Sequence, residues 1–217
     1  MVRVRLSRAG SNIYMLQIKS KYKIAKRLGN QIFEQTQTQK FSLAEARKPI
    51  KKTRGRGNKS DYGRQLIEKQ KVRYTYGLSE KQLSNYAAAA FETKNPPESL
   101  HRALESRLDS AAYRAGFAST RRAARQMVSH GHLLVNGTRI TMPSYRLKAS
   151  DTITVREGSR TSTLFTHMTD PEAIARPVPT WLSVDPKIMV AKVEGEPGYV
   201  AAEIPLDYPA VFEFYSR

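Results

Sequence analysis

Arg121, Arg122 and Arg125 stand in the stretch STRRAARQMVSHG, where helical spacing sets Arg121 and Arg122 beside Arg125 on one surface. No carboxylate intervenes to neutralise them, so the three guanidiniums would form an outward positive stripe. The chemistry open to such a stripe is charge-assisted, partly bidentate hydrogen bonding to phosphate. Other reactive types are sparse. The histidines are at 101, 130, 132 and 167, and His130 with His132 has the spacing of a metal pair, but no Cys, Asp or Glu flanks it. The plainer reading puts one at a helix end and the other at a strand start. Cysteine is absent, which removes disulfides, thiol catalysis and a cysteine zinc cluster. No Ser-His-Asp order, P-loop or pair of carboxylates stands out.

The elements that must position the stripe follow from periodicity. Leu100, Ala103, Leu104, Leu108 and Ala111 make one apolar face, which predicts a helix from Ser99 to a stop at Gly116. A second helix is capped by Ser119 or Thr120, turns Ala123, Ala124, Met127 and Val128 inward, and stops at Gly131. Asn136-Gly137 between β-prone residues is a type I′ hairpin signal, and 151–155 reads as a further strand. Residues 99–160 thus form a compact module with the composition of an RNA binder.

Upstream, a helix begins near Asp61 with Lys69, Lys71 and Arg73 outward, Tyr62, Leu66, Ile67 and Tyr74 available for packing, and Gly77 as its end. Ser79 and Gln82 fit a capping box, after which Leu83, Tyr86, Ala87, Ala90 and Phe91 form an apolar face. Lys94-Asn95-Pro96-Pro97 marks the boundary with the module. Trp181, the only tryptophan, reads as a packing anchor rather than a base-stacking platform.

Charge is unevenly distributed. The chain of 217 residues has 37 Lys plus Arg against 19 Asp plus Glu, a formal charge of +18. Residues 1–80 hold 20 basic and 5 acidic side chains, net +15, whereas residues 161–217 hold 4 and 8, net −4. The front and middle are therefore built for a polyanion, whose binding should weaken steeply with salt. No apolar run approaches the ~20 residues needed to cross a membrane. Between Gln35 and Lys59 the chain is polar, then basic and glycine-bearing, and should order only against RNA.

Four ordered strings, RLDSAAYRAGFA (107–118), ARQMVSHGHLLVNG (124–137), PSYRLKASDTITV (143–155) and FEFYSR (212–217), resemble the small-subunit ribosomal protein S-four family. SDYGRQLIEKQKVRYTYGLSEKQ (60–82) is similar to that family's helical segment, and SKYKIAKRLGNQIFE (20–34) to its start in alphaproteobacterial and mitochondrial members. The chain departs from the pattern where KKTRGRGNK replaces the usual glycine-histidine-rich string.

The resemblance implies an α+β fold: a mainly helical N-terminal domain plus a small RNA-binding module of two helices on a short antiparallel sheet. Its organisation would be a basic extension and RNA-ordered segment (1–59), a helical domain (60–98), the module (99–160), and a tail (161–217) folding back on the helical domain. It further implies a structural constituent of the small subunit, binding the 5′ domain of small-subunit ribosomal RNA early in assembly and supporting decoding accuracy; without cysteine this member would lack the zinc cluster that some members carry, and no cofactor is expected. Its partners would be that RNA and neighbouring small-subunit proteins, with no membrane and no small-molecule substrate. The candidate RNA contacts are Lys51, Lys52, Arg54, Arg56 and Lys59 in the basic stretch; Tyr62, Arg64, Lys69, Lys71 and Arg73 on the first long helix; and Arg114, Arg121, Arg122, Arg125, Asn136, Tyr145, Arg146 and Lys148 in the module.

Two other functions compete. A similar module precedes the catalytic domain of certain pseudouridine synthases, and Arg107-Leu108-Asp109 echoes their catalytic string, yet Asp109 lies inside the module's own helix and only 57 residues follow Arg160. There Asp109 should fix local hydrogen bonds. A free-standing ribosome-associated RNA-binding factor would need neither the 60–82 region nor the FEFYSR end. The acid-free start up to Phe33 suits an RNA-bound extension or a mitochondrial targeting segment, and the reading leans to the former and to a mitochondrial rather than a bacterial ribosome.

Overall fold

The computed structural model describes residues 16, 18, 20–47, 60–168, 177–200 and 204–217. Its helices are α1 (Lys21–Leu28), α2 (Gln39–Ala46), α3 (Asp61–Thr75), α4 (Glu80–Phe91), α5 (Pro96–Glu105), α6 (Leu108–Arg114), α7 (Arg121–His130), α8 (Glu157–Arg160) and α9 (Tyr208–Tyr215). The strands β1 (Leu133–Val135), β2 (Thr138–Arg139), β3 (Thr152–Val155), β4 (Leu182–Asp185) and β5 (Val190–Val193) form one antiparallel sheet in the order β2-β1-β3-β5-β4. The fold is α+β, as expected.

Local sequence signals explain most element ends. The Ser79 hydroxyl accepts the Gln82 N–H at 3.2 Å and the Gln82 side chain accepts the Ser79 N–H at 3.1 Å, completing the capping box that opens α4. Thr120 caps α7 by accepting the Ala123 N–H at 3.1 Å, and Gly131, with φ 70°, closes it. Between β1 and β2, Asn136 (φ 50°) and Gly137 (φ 78°) occupy the left-handed region that the two-residue turn demands.

The single helix expected after Ser99 is two helices. Proline opens α5 at Pro96, three residues early, and the chain leaves helical geometry at Arg107 (φ −69°, ψ 142°). There the backbone makes an isolated antiparallel bridge to the distant segment 145–147 instead: the Leu108 N–H donates to Tyr145 O and the Leu147 N–H to Ser106 O, both at 2.8 Å. The apolar face is divided accordingly. Leu100 and Leu104 pack with Val72, Leu83, Ala87 and Tyr208, whereas Leu108 and Ala111 pack with Phe117, Val128, Leu133 and Ile153. The boundary drawn between residues 98 and 99 therefore moves to Ser106-Arg107, and α5 belongs to the helical domain.

The tail is also shared, not folded back as one piece. Its β5 pairs with β3, matching Ile153 to Ala191, and Trp181 is buried in the module's core as an anchor. Only its end returns to the helical domain, where α9 lies along α3 and Phe212 meets Phe91 edge to face at 4.8 Å. Burying side chains of that size is worth ~1.5–3 kcal/mol each. Residues 21–46 depart from expectation too. Ala25, Leu28, Ile32, Phe33 and Phe41 form a third apolar cluster against Ile67 and Tyr74 of α3, so protein contacts order this part of the arm. The basic stretch 48–59 lies outside the described residues.

Candidate nucleic-acid interface

The expected outward stripe on α7 is, for two of its three arginines, an internal lock. Glu105 ends α5 and is 1% exposed. Its carboxylate accepts Arg114 Nε at 2.8 Å and Nη2 at 3.0 Å, Arg121 Nη2 at 3.0 Å, and the Tyr76 hydroxyl at 2.7 Å. Arg121 is also sandwiched between the rings of Tyr76 and Tyr113, 4.6 and 4.7 Å from their centroids. The network continues inward, with the Tyr208 hydroxyl 3.4 Å from that of Tyr76 and 3.1 Å from His101 Nδ1. Burial pushes the Glu105 carboxyl up, but Arg121, Arg114 and Tyr76 outweigh it and hold it well below the carboxylate range. Burial, joined by the charge on Glu105, raises the Tyr76 hydroxyl, and burial lowers His101.

A second lock lies beside the first. Asp109 accepts Arg107 Nε at 2.9 Å and Nη2 at 2.6 Å, and Arg107 Nη1 donates to the Tyr86 hydroxyl at 2.9 Å. Asp109 thus holds local structure, as the sequence suggested. Arg125 is 6% exposed, lies 3.8 Å from Asp109, and donates to Gly77 O at 3.3 Å. Burial, only partly offset by Asp109, lowers its guanidinium pKa. Together the two locks join α6 and α7 to α3, α4, α5 and α9. Arg121 and Arg125 face inward because Glu105 and Asp109, distant from α7 in sequence, arrive on the same side.

Lys69, expected outward, is likewise buried. Its ammonium lies 2.7 Å from Glu80 and 4.0 Å above the Phe214 ring. Lys71 is half-buried against Glu68, and Arg73 against Leu78 O and Glu80. Tyr145 packs half-buried on the module core. Asn136 is exposed, but its amide donates to Asp151 at 2.8 Å and accepts the Thr152 N–H at 2.9 Å.

Arg64, Arg122, Arg146 and Lys148 are exposed, and Arg114 is partly so. Tyr62 is exposed with one face on Phe214, 5.6 Å between centroids. The fold gathers these cations with others that sequence reasoning missed. Arg27 of α1 lines a 260 Å³ cavity with Arg64 and Lys71. Arg146 and Lys148 share a 360 Å³ cavity with Arg102 and Trp181. Lys51, Lys52, Arg54, Arg56 and Lys59 lie outside the described residues. Glu105 was also missed; its signal was the spacing of His101 and Glu105, four apart on the edge of an apolar face.

This two-part body has recognisable relatives. The model of the ribosomal protein S4/S9 N-terminal domain matches residues 17–108, and the S4 domain model matches 106–153. The chain is 45% identical over 165 residues to small ribosomal subunit protein uS4 of Nocardia farcinica, covering 76% of this chain and 82% of the relative. It is 37% identical over 200 residues to the uS4 of Borrelia turicatae, covering 91% and 96%. The chain belongs to the uS4 family.

In uS4 terms, the junction between the two matched models falls at residues 106–108, where α5 ends and the helix breaks. The uS4 family is one of structural ribosomal proteins and not of enzymes. These uS4 relatives are bacterial and give no support to a closer tie with mitochondrial members. Among the described residues no group of three or more His, Cys, Asp or Glu is placed to hold a metal ion, and no helix is long and apolar enough to cross a membrane.

Proposed function

We propose that this chain is a structural constituent of the small ribosomal subunit that binds small-subunit ribosomal RNA directly. The observation that carries the proposal is the match to uS4 over nearly the full length of both chains, spanning the helical domain and the module alike. The surface supports it: Arg64, Arg122, Arg146 and Lys148 are exposed cations on both domains. They would grip phosphates while Tyr62 offers a ring to a base or sugar.

The mechanism is placement. The Glu105 and Asp109 locks make two RNA-facing domains one body, so the angle between the RNA segments they grip is set by the protein and not by the RNA. Recognition of shape would follow, and the segment 48–59 would add a second grip through Lys51, Lys52, Arg54, Arg56 and Lys59. The finer assignments, to the 5′ domain junction, to nucleation of the subunit body, to contacts with neighbouring proteins and to decoding accuracy, rest on the family resemblance. The choice of a mitochondrial ribosome rests on the proteobacterial-like strings, the replaced glycine-histidine-rich string and the arginine-rich start together, and the bacterial relatives lend it no support.

The test is binding of the purified chain to a transcript of the small-subunit 5′ domain and to a scrambled RNA of equal length, across a salt series. Tight binding that prefers the folded domain and falls by roughly 0.7 to 0.9 log units per log unit of salt for each phosphate contacted is the expected result. Equal binding to both RNAs would leave only a basic module.

A further inference from the structure

The N-terminus of α7 already holds an acid. The Arg121 backbone N–H donates at 3.2 Å to Oε1 of Glu34, 87 residues earlier in the chain. Glu34 sits in the short turn Glu34–Thr36, anchored by Ile32 and Phe33 in the apolar cluster on α3. Its carboxylate meets the positive end of a ten-residue helix, the place where anions are stabilised. The cavity there, about 60 Å³, is lined by Lys21, Glu34, Arg121, Arg122 and Arg125 among others.

Glu34 does not satisfy this site. Arg121 Nη1 and Arg125 Nε are buried with no hydrogen-bond partner, and Arg125 is 6% exposed. The carboxylate nearest to Arg125, Asp109, already takes both forks of Arg107. Buried N–H groups left unmet are costly, ~1–3 kcal/mol each, and mark a place where an acceptor is missing. The Glu34 carboxylate meets the helix amide through Oε1. A phosphodiester has the same single charge on two oxygens set tetrahedrally, and one group of that shape can meet the amide and a guanidinium together.

We propose that Glu34 is an internal stand-in for an RNA phosphate: it occupies the α7 N-terminal site in the free protein and is displaced when a backbone phosphate takes the Arg121 amide and the unmet Arg125 Nε–H, on the guanidinium that lines the same cavity. This rests on the reading of the chain as an RNA-binding ribosomal protein and adds a regulation to it. Because Glu34 belongs to the N-terminal arm, filling the site with RNA frees the arm's contact with α7. RNA binding and arm position are thereby coupled, and the stand-in lowers affinity for any RNA that fails to reach the site.

The experiment compares the wild-type chain, Glu34→Gln and Glu92→Gln for binding to the 5′ domain transcript and to scrambled RNA at several salt concentrations. Glutamine keeps the acceptor for the Arg121 N–H, so the fold holds, and Glu92, exposed at the end of α4, controls for loss of one negative charge. Glu34→Gln should bind about threefold more tightly than Glu92→Gln, the size of a charge effect at a helix terminus. Equal gains from the two variants, or weaker binding by Glu34→Gln, would overturn the proposal. If the wild type shows no preference for the folded transcript, the ribosomal reading fails, while the difference between the two variants on either RNA still decides the phosphate site.

Discussion

Arg121 and Glu105 meet at 3.0 Å across the junction of the two domains, with the Tyr76 hydroxyl on the same carboxylate oxygen. An arginine of a helix that would otherwise face RNA is thus spent on holding that helix in place. Side-chain contact with RNA at the outer face of α7 then falls to its neighbour Arg122, which is exposed, and the orientation of Arg122 depends on the lock beneath it.

Removing the carboxylate tests the lock. Glu105→Gln leaves Arg121 and Arg114 without a counter-charge in a buried site, which should cost ~3–5 kcal/mol and lower the melting temperature by roughly 10 °C. The effect should depend on pH. The folded carboxyl lies below its ordinary 4.5, because the pull of Arg121, Arg114 and Tyr76 exceeds the upward push of burial. A depressed folded pKa adds stability above about pH 4.5 that is lost as pH falls from there toward the folded value. The gap in stability between wild type and Glu105→Gln should therefore narrow from pH 6 to pH 3 in thermal melts. A constant gap would mean that Glu105 acts through packing alone.

Two adjacent arginines should part company. Arg122→Ala is expected to weaken binding to the 5′ domain transcript and to flatten the salt slope by about one phosphate, with melting unchanged. Arg121→Ala should lower melting first, since it leaves Glu105 short of a partner. Equal effects of the two on melting would contradict the burial difference between them.

Asp109 is predicted to matter for folding and not for chemistry. Asp109→Ala strands Arg107 at 1% exposure and should destabilise the chain by ~3–5 kcal/mol in denaturant titration. The conservative Asp109→Asn keeps acceptor and shape and should recover part of the loss. A neutral Asp109→Ala would show that the Tyr86 hydroxyl and water suffice for Arg107.

Gly137→Val tests the turn. A β-branched residue at φ 78° is strained even though a Cβ there meets nothing within 4 Å, and the left-handed penalty is ~1–2 kcal/mol. Thermal melting should fall by a few degrees. An unchanged midpoint would show that the hairpin rearranges at no cost.

The sequence by itself determined the local elements: the capping box at Ser79, the Thr120 and Gly131 ends of α7, the Asn136-Gly137 turn and Trp181 as an anchor are all read from short-range chemistry. It also determined the polyanion partner, because uneven charge survives any folding. Tertiary structure alone decided the rest. The face at Leu100, Leu104, Leu108 and Ala111 is one face by periodicity and two in space, because the backbone of 106–108 finds its hydrogen bonds on residues 145–147. Arg121, Arg125 and Lys69 look alike to helical spacing as outward cations. Only the arrival of Glu105, Asp109 and Glu80 from other elements turns them inward, since whether a charge faces RNA or a carboxylate depends on partners that spacing along one helix does not reveal.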